Sequence, residues 1–262
     1  MSYQIKKSER RRRRIENMKK GIYLLPNIFT SMGLLFGFYS TLHTLSGRYL
    51  KAAWAIIFAA IFDAIDGKIA RLTKTNTDFG VEYDSLADLI AFGVAPGLLV
   101  YAWALKPFGK WGWLAAFLYV ICAALRLARF NVQINTVENR FFQGLPSPAA
   151  AGTIVSVIIL FNHLRIPEDT KYLPVLLLTY AIAFLMVSNV KYNSFKNLEL
   201  AKRKPFSSLI VVILLIIVVG AEPQFMLFSL FFLYFISGPI NILLRYRQRK
   251  AQRVLKERES HT

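Results

Sequence analysis

Acid, cysteine and histidine are all scarce in this chain. Of 262 residues, 15 are acidic against 33 basic, and charged residues of both signs make up only 18%. A soluble globular domain carries about 25% charge, so a soluble fold is disfavoured. Disorder is excluded too, because 55% of the chain is hydrophobic and the mean hydropathy is +0.41. The single cysteine, Cys122, rules out an intramolecular disulfide framework and a thiolate zinc site. His43, His163 and His261 are too dispersed to form an imidazole metal site. No P-loop, Gly-x-Gly-x-x-Gly run or Gly-x-Ser-x-Gly elbow is present.

Long apolar runs dominate what remains. A helix crosses a bilayer in about 20 apolar residues. The pattern predicts an all-α integral membrane protein with about eight transmembrane helices in a polytopic bundle: Tyr23–Leu45, Tyr49–Leu72, Ser85–Leu105, Trp111–Phe130, Ala149–Leu164, Tyr172–Val190, Ser207–Gly220 and Phe225–Leu244. Continuous aliphatic runs such as Val211–Val219 lack the alternation of barrel strands. The chain divides into a basic segment over 1–22, a transmembrane catalytic domain over 23–244 and a basic tail over 245–262. Gly33-x3-Gly37 on the first helix predicts close helix packing.

The net charge of +18 could indicate nucleic acid, but its placement indicates a membrane. With the N-terminus cytoplasmic, the cytoplasmic segments collect 23 basic residues. The opposite loops hold only Arg48, Lys51, Lys106, Lys110, Arg165 and Lys171. The positive-inside rule then places both termini in the cytoplasm, with the cytoplasmic membrane as the location. The basic ends are topology anchors or docking segments for anionic headgroups, and no nucleic-acid partner is expected.

Five of the six aspartates fall between positions 63 and 88: Asp63, Asp66, Asp78, Asp84 and Asp88. Carboxylates within a membrane segment are costly and mark functional candidates. Asp63 and Asp66 share one helix face at i and i+3, and Asp84 and Asp88 share another at i and i+4. A short connection makes the two helices antiparallel neighbours, so four carboxylates can converge near the cytoplasmic surface. Such a cluster suits hard divalent cations, Mg²⁺ or Mn²⁺ with Ca²⁺ as a further candidate. Two ions would form a clamp for phosphoryl transfer. A cation or proton path in a transporter fits the same residues. So does a structural network with Lys68 and Arg71.

The run Asp63-x2-Asp66-Gly67-x2-Ala70-Arg71-x8-Gly80-x3-Asp84-x3-Asp88 resembles the signature of the CDP-alcohol phosphatidyltransferase family at all eight fixed positions. That family moves a phosphatidyl or related group from a CDP-linked donor to an alcohol and releases CMP. The resemblance implies a helical membrane protein, a homodimer, with its site open to the cytoplasm. It implies that Asp63, Asp66 and Asp84 hold the metals, and that Asp88 joins them and serves as general base. Gly67, Arg71 and Thr77 would touch the CDP moiety, with Gly80 giving room. Pro26-Asn27-Ile28-Phe29-Thr30 resembles the family's Pro-Asn-x-x-Thr element. Asn27 and Thr30 would bond the diphosphate, unless they serve helix capping and interhelical bonding.

Two later segments, Arg126-Leu127-Ala128-Arg129-Phe130-Asn131 and Gly144-Leu145-Pro146-Ser147-Pro148, resemble the serine-accepting branch. The implied substrates are CDP-diacylglycerol and L-serine, with Arg126, Arg129 and Asn131 binding serine. Arg126 and Arg129 also fit positive-inside anchoring, or the phosphate of another acceptor. The alternative acceptors are glycerol 3-phosphate, inositol phosphate and inositol.

Overall fold

A computed structural model describes residues 26–73, 77–133, 141–166, 168–193 and 222–259. Helices follow one another: α1 over 26–45, α2 over Tyr49–Thr73, α3 over Asp78–Phe108, α4 over Lys110–Gln133, α5 over Ser147–His163, α6 over Glu168–Val187 and α7 over Pro223–Glu259. The predicted helix over Ser207–Gly220 and the basic segment over 1–22 lie outside the described residues. Among the described residues, α3, α4 and the Pro223–Asn241 part of α7 are long and apolar enough to cross a membrane. Ser147–His163 and Leu173–Val187 are shorter apolar helices. Lys51, Asp63, Asp66, Lys68 and Arg71 interrupt α2, so its full span is less apolar than its sequence position suggests. Outward-facing Phe38, Phe58, Phe117, Leu177, Phe184 and Leu233 are exposed. That much exposed apolar surface fits a lipid surround.

The bundle is built around α5, whose buried face runs almost without a break from Ala150 to Leu160. α2 and α7 pack on α5, and α4 packs along α6. Small residues allow the tight crossings. Ala52, Ala53 and Ala59 of α2 are fully buried, as are Ala115 and Ala123 of α4. A Cβ on Gly37 would come 2.8 Å from Ala91 Cα, so α1 lies against α3 there. This accounts for the predicted close packing at the Gly33-x3-Gly37 pair.

α3 begins seven residues earlier than the predicted Ser85 start. Thr77, in extended conformation, caps it by accepting a hydrogen bond from Gly80 N–H at 3.0 Å. Asp88 therefore sits well inside a helix rather than in its first turn. Beyond Asp88, α3 widens into π-helical turns over Leu89–Val94 and again over Tyr101–Leu105. Pro96 has no N–H to offer the Phe92 carbonyl four residues earlier. The Tyr119 hydroxyl, fully buried on α4, donates to that carbonyl at 2.9 Å. In the second π segment, Ala102 would next need the N–H of residue 107, which is proline. The Tyr49 hydroxyl of α2 donates there instead, at 3.2 Å. Each proline-freed carbonyl thus takes a tyrosine from a neighbouring helix.

Two connections on the carboxylate side meet in a small antiparallel clasp, β1 (Phe141–Gln143) with β2 (Lys191–Asn193), Phe142 opposite Tyr192. Apart from it, the described residues outside helices are turns and connections. Tyr192 is buried and donates to Phe235 O at 3.2 Å, tying the clasp to α7. α7 continues as helix to Glu259, past the predicted end at Leu244. After Pro239 no glycine or proline stops it, and the tail is rich in Arg, Lys, Gln and Glu, all strong helix formers.

Candidate metal and phosphate site

The end of α2 and the first half of α3 run side by side, and the four carboxylates meet between them. One carboxylate oxygen from each of Asp63, Asp66 and Asp84 lies within 4.8 Å of the others. Asp88 completes the inner wall. With Asp63, Asp66 and Asp84 it lines a void of about 10 Å³, room for a single small ion or water. A larger cavity of about 210 Å³ opens beside it, lined by Pro26, Asn27, Thr30, Asp66, Gly67, Ala70, Thr77, Gly80, Val81 and Asp84.

The donor set fits a divalent cation. Among the described residues the one ion pair joins His163 and Glu222, so no described Lys or Arg lies within 4.0 Å of any of the four aspartates. Lys68, expected in a structural network, makes no such pair. The Arg71 side chain lies outside the described residues. Crowded hard oxygen ligands with no described Lys or Arg in ion-pair contact are what Mg²⁺ or Mn²⁺ coordinates.

Thr30 is nearly fully buried on α1, and its hydroxyl lies 2.9 Å from Asp66 Oδ2 and 3.1 Å from the Pro26 carbonyl. Its one proton serves one acceptor at a time. Thr30 thus makes the interhelical bond and aims Asp66. Asn27 stands on the wall of the larger cavity. A Cβ on Gly80 would sit 3.0 Å from Thr77 Oγ1 and 3.5 Å from Asn27 Oδ1, so glycine keeps that wall clear. Thr77 does two things: its hydroxyl caps α3 and borders the cavity. A Cβ on Gly67 would meet nothing within 4 Å, so the cavity is open on that side.

The three residues expected at the acceptor part company. Arg126 is buried; its guanidinium donates to Ser147 Oγ at 2.7 Å, while its Nε has no partner. It stands near enough to Asp88 to act on its charge. Arg129 turns to the end of α6 and donates to Val187 O at 3.2 Å and Asn189 Oδ1 at 3.3 Å. That is a favourable place for a cation, at the carbonyl end of a helix. Asn131 donates to Ser85 Oγ at 2.9 Å, joining α4 to α3. Arg126 and Arg129 are therefore not presented as a pair.

Sequence reasoning passed over two contributors. Ser147 belongs to the Gly-Leu-Pro-Ser-Pro segment, yet only the fold brings it to Arg126. Tyr83, one residue before Asp84, shares a hydrogen bond with Ser31 at 2.9 Å and so braces α3 against α1. No spacing rule marks either residue.

The fold and the site together define a helical membrane protein with a carboxylate cluster able to hold a metal ion beside an open cavity. The sequence pattern of the CDP-alcohol phosphatidyltransferase family matches residues 23–187. The chain belongs to that family. It is 37% identical over 213 residues to the CDP-diacylglycerol–serine O-phosphatidyltransferase of Helicobacter pylori, covering 81% of this chain and 90% of that protein. The protein so named in Methanocaldococcus jannaschii is 36% identical over 189 residues, 72% of this chain and 82% of its own. That of Bacillus subtilis is 36% identical over 159 residues, 60% and 82%.

Proposed function

We infer that this protein transfers the phosphatidyl group of CDP-diacylglycerol to the hydroxyl of L-serine, giving phosphatidylserine and CMP. The observation that carries the reading is the meeting of Asp63, Asp66 and Asp84 within 4.8 Å at the edge of an open cavity that Asn27, Thr30 and Thr77 also line. The likeness to serine-accepting relatives over most of their length supports the acceptor.

Asp63, Asp66 and Asp84 hold the metal, Mg²⁺ or Mn²⁺ and two ions in the fullest form, with Asp88 at their inner edge. When bound, the cations offset the charge of the diphosphate and of the departing phosphate. Thr30 keeps Asp66 in place. Asn27, Gly67, Thr77 and Gly80 border the space for the CDP moiety, and Arg71 follows on the same helix. Asp88 accepts the proton of the serine hydroxyl. The serine oxygen bonds to the β-phosphorus, the bond from that phosphorus to the bridging oxygen breaks, and CMP leaves with the electron pair. Arg126, with Nε unspent and near enough to Asp88 to act on its charge, suits the serine carboxylate. Arg129 and Asn131 act by holding α4 against α6 and α3.

The working protein is a homodimer in the cytoplasmic membrane. Its domain over 23–244 crosses the bilayer about eight times, and both basic ends and the carboxylates face the cytoplasm. The 23 basic residues on that side support this orientation. The decisive assay is CMP release by purified protein in detergent, with CDP-diacylglycerol and Mg²⁺ or Mn²⁺. Serine, glycerol 3-phosphate, inositol phosphate and inositol are supplied in parallel. Release that needs both serine and metal is expected. Release with another alcohol instead would overturn the acceptor. No release from folded protein would favour a transporter.

A further inference from the structure

The largest cavity described lies at the other end of the bundle. It measures about 560 Å³ and opens between the start of α2, the end of α3 and the end of α5. Fifteen residues of α2 separate Lys51 on its wall from Asp66, about 22 Å along a helix axis. Three cations line it: Arg48, Lys51 and Arg165. Among the described residues no carboxylate lines it, and none of the three cations has an ion-pair partner. Tyr49, Trp103 and Phe161 complete a rigid wall. Tyr49 is anchored on Ala102 O, and Phe161 meets Trp103 edge-on at 5.9 Å.

Two further observations indicate that the charge has a use. The opposite loops hold six basic residues, a kind disfavoured on that side of a membrane protein, and three of the six converge here. Arg165 also has a φ of 49°, the one positive value at a non-glycine among the described residues. It ends α5, its N–H donating to Asn162 O, while Ile166 N–H donates to Phe161 O. Glycine takes this helix-ending conformation with less strain. An arginine in that conformation points to a role for its guanidinium.

We propose that this cavity binds the phosphate headgroup of an anionic phospholipid from the leaflet opposite the carboxylate cluster. Guanidinium and ammonium groups meet the phosphate. The aromatic wall and the exposed Leu50 at its edge lie against the glycerol and upper acyl chain, which a soluble anion would leave uncovered. This rests on the proposed orientation of the bundle, with the carboxylates toward the cytoplasm, and is independent of the acceptor alcohol.

The test is lipid titration of the purified full-length protein in neutral detergent, read by native mass spectrometry. Phosphatidylglycerol, phosphatidylcholine and inorganic phosphate are compared. One phosphatidylglycerol per chain is expected to bind in preference to phosphatidylcholine. The triple variant Arg48→Gln/Lys51→Gln/Arg165→Gln should weaken that event about a hundredfold, at about fivefold per charge. Equal affinity in wild type and triple variant overturns the site. Equal retention of the two lipids overturns the anionic headgroup. Displacement of the lipid by millimolar inorganic phosphate overturns the lipid as occupant. If the triple variant does not fold, Arg165→Gly serves alone. It relieves the backbone, so its unfolding temperature without lipid should equal or exceed that of wild type. Phosphatidylglycerol should bind it about fivefold more weakly, and unchanged affinity overturns the proposal.

Discussion

The two ends of α2 carry opposite chemistry. At its C-terminal end, carboxylates crowd beside a cavity of about 210 Å³, with Asp66 held by Thr30 from another helix. At its N-terminal end, a cavity of about 560 Å³ is lined by cations with no described carboxylate opposite them. The larger space is not the one beside the carboxylates. A metal clamp needs oxygen ligands a few ångströms apart and held still, which is a matter of ligand type and support rather than volume. The far end has the roomier, cationic form suited to a headgroup.

The sharpest way to break this comparison is Asp63→Ala. It should abolish metal-dependent CMP release while the protein stays folded; full retention would sink the metal assignment. Next comes Asp88→Asn, which keeps the size and removes the proposed base. Turnover should fall about 10²–10⁴-fold, and near-wild-type turnover with intact folding would remove Asp88 as an essential base. Thr30→Val keeps the shape and removes the hydroxyl that aims Asp66. The Mg²⁺ or Mn²⁺ concentration for half-maximal activity should rise about 10–100-fold, with the rate restored at saturating metal. An unchanged metal requirement would mean that Asp66 needs no such support.

The smallest effects compare the two π segments of α3. Tyr119→Phe leaves the Phe92 carbonyl unpaired in a dry core, at a cost of about 1–3 kcal/mol. Tyr49→Phe exposes the Ala102 carbonyl where the helix end is only half-buried. It should cost less, about 0.5–1.5 kcal/mol. Thermal unfolding in detergent ranks the pair. The reverse order would show that the Tyr119 bond beside Asp88 is not the costlier of the two to lose.

Much of the fold was legible because membrane helices are long and their breaks are marked by Gly, Pro and charge. The predicted starts at Tyr49 and Trp111 lie within one residue of α2 and α4. α3 was misjudged at its start because Thr77 and Asp78 form a polar cap that hydropathy alone reads as loop. The π turns were invisible for a different reason. Pro96 and Pro107 announce freed carbonyls, but not which neighbour answers them.

The candidate site divides in the same manner. The spacing Asp63-x2-Asp66 and Asp84-x3-Asp88 determined which carboxylates share a helix face, because helical periodicity is a local property. The placement of charge along the chain likewise determined the expected orientation in the membrane. Only the tertiary structure decided that Thr30 bonds Asp66 and that Ser147 holds Arg126. It alone turned Arg129 and Asn131 to neighbouring helices and gathered Arg48, Lys51 and Arg165 around one cavity. Those contacts join residues far apart in the chain, and which side chains meet across helices depends on how each helix is rotated and packed against its neighbours.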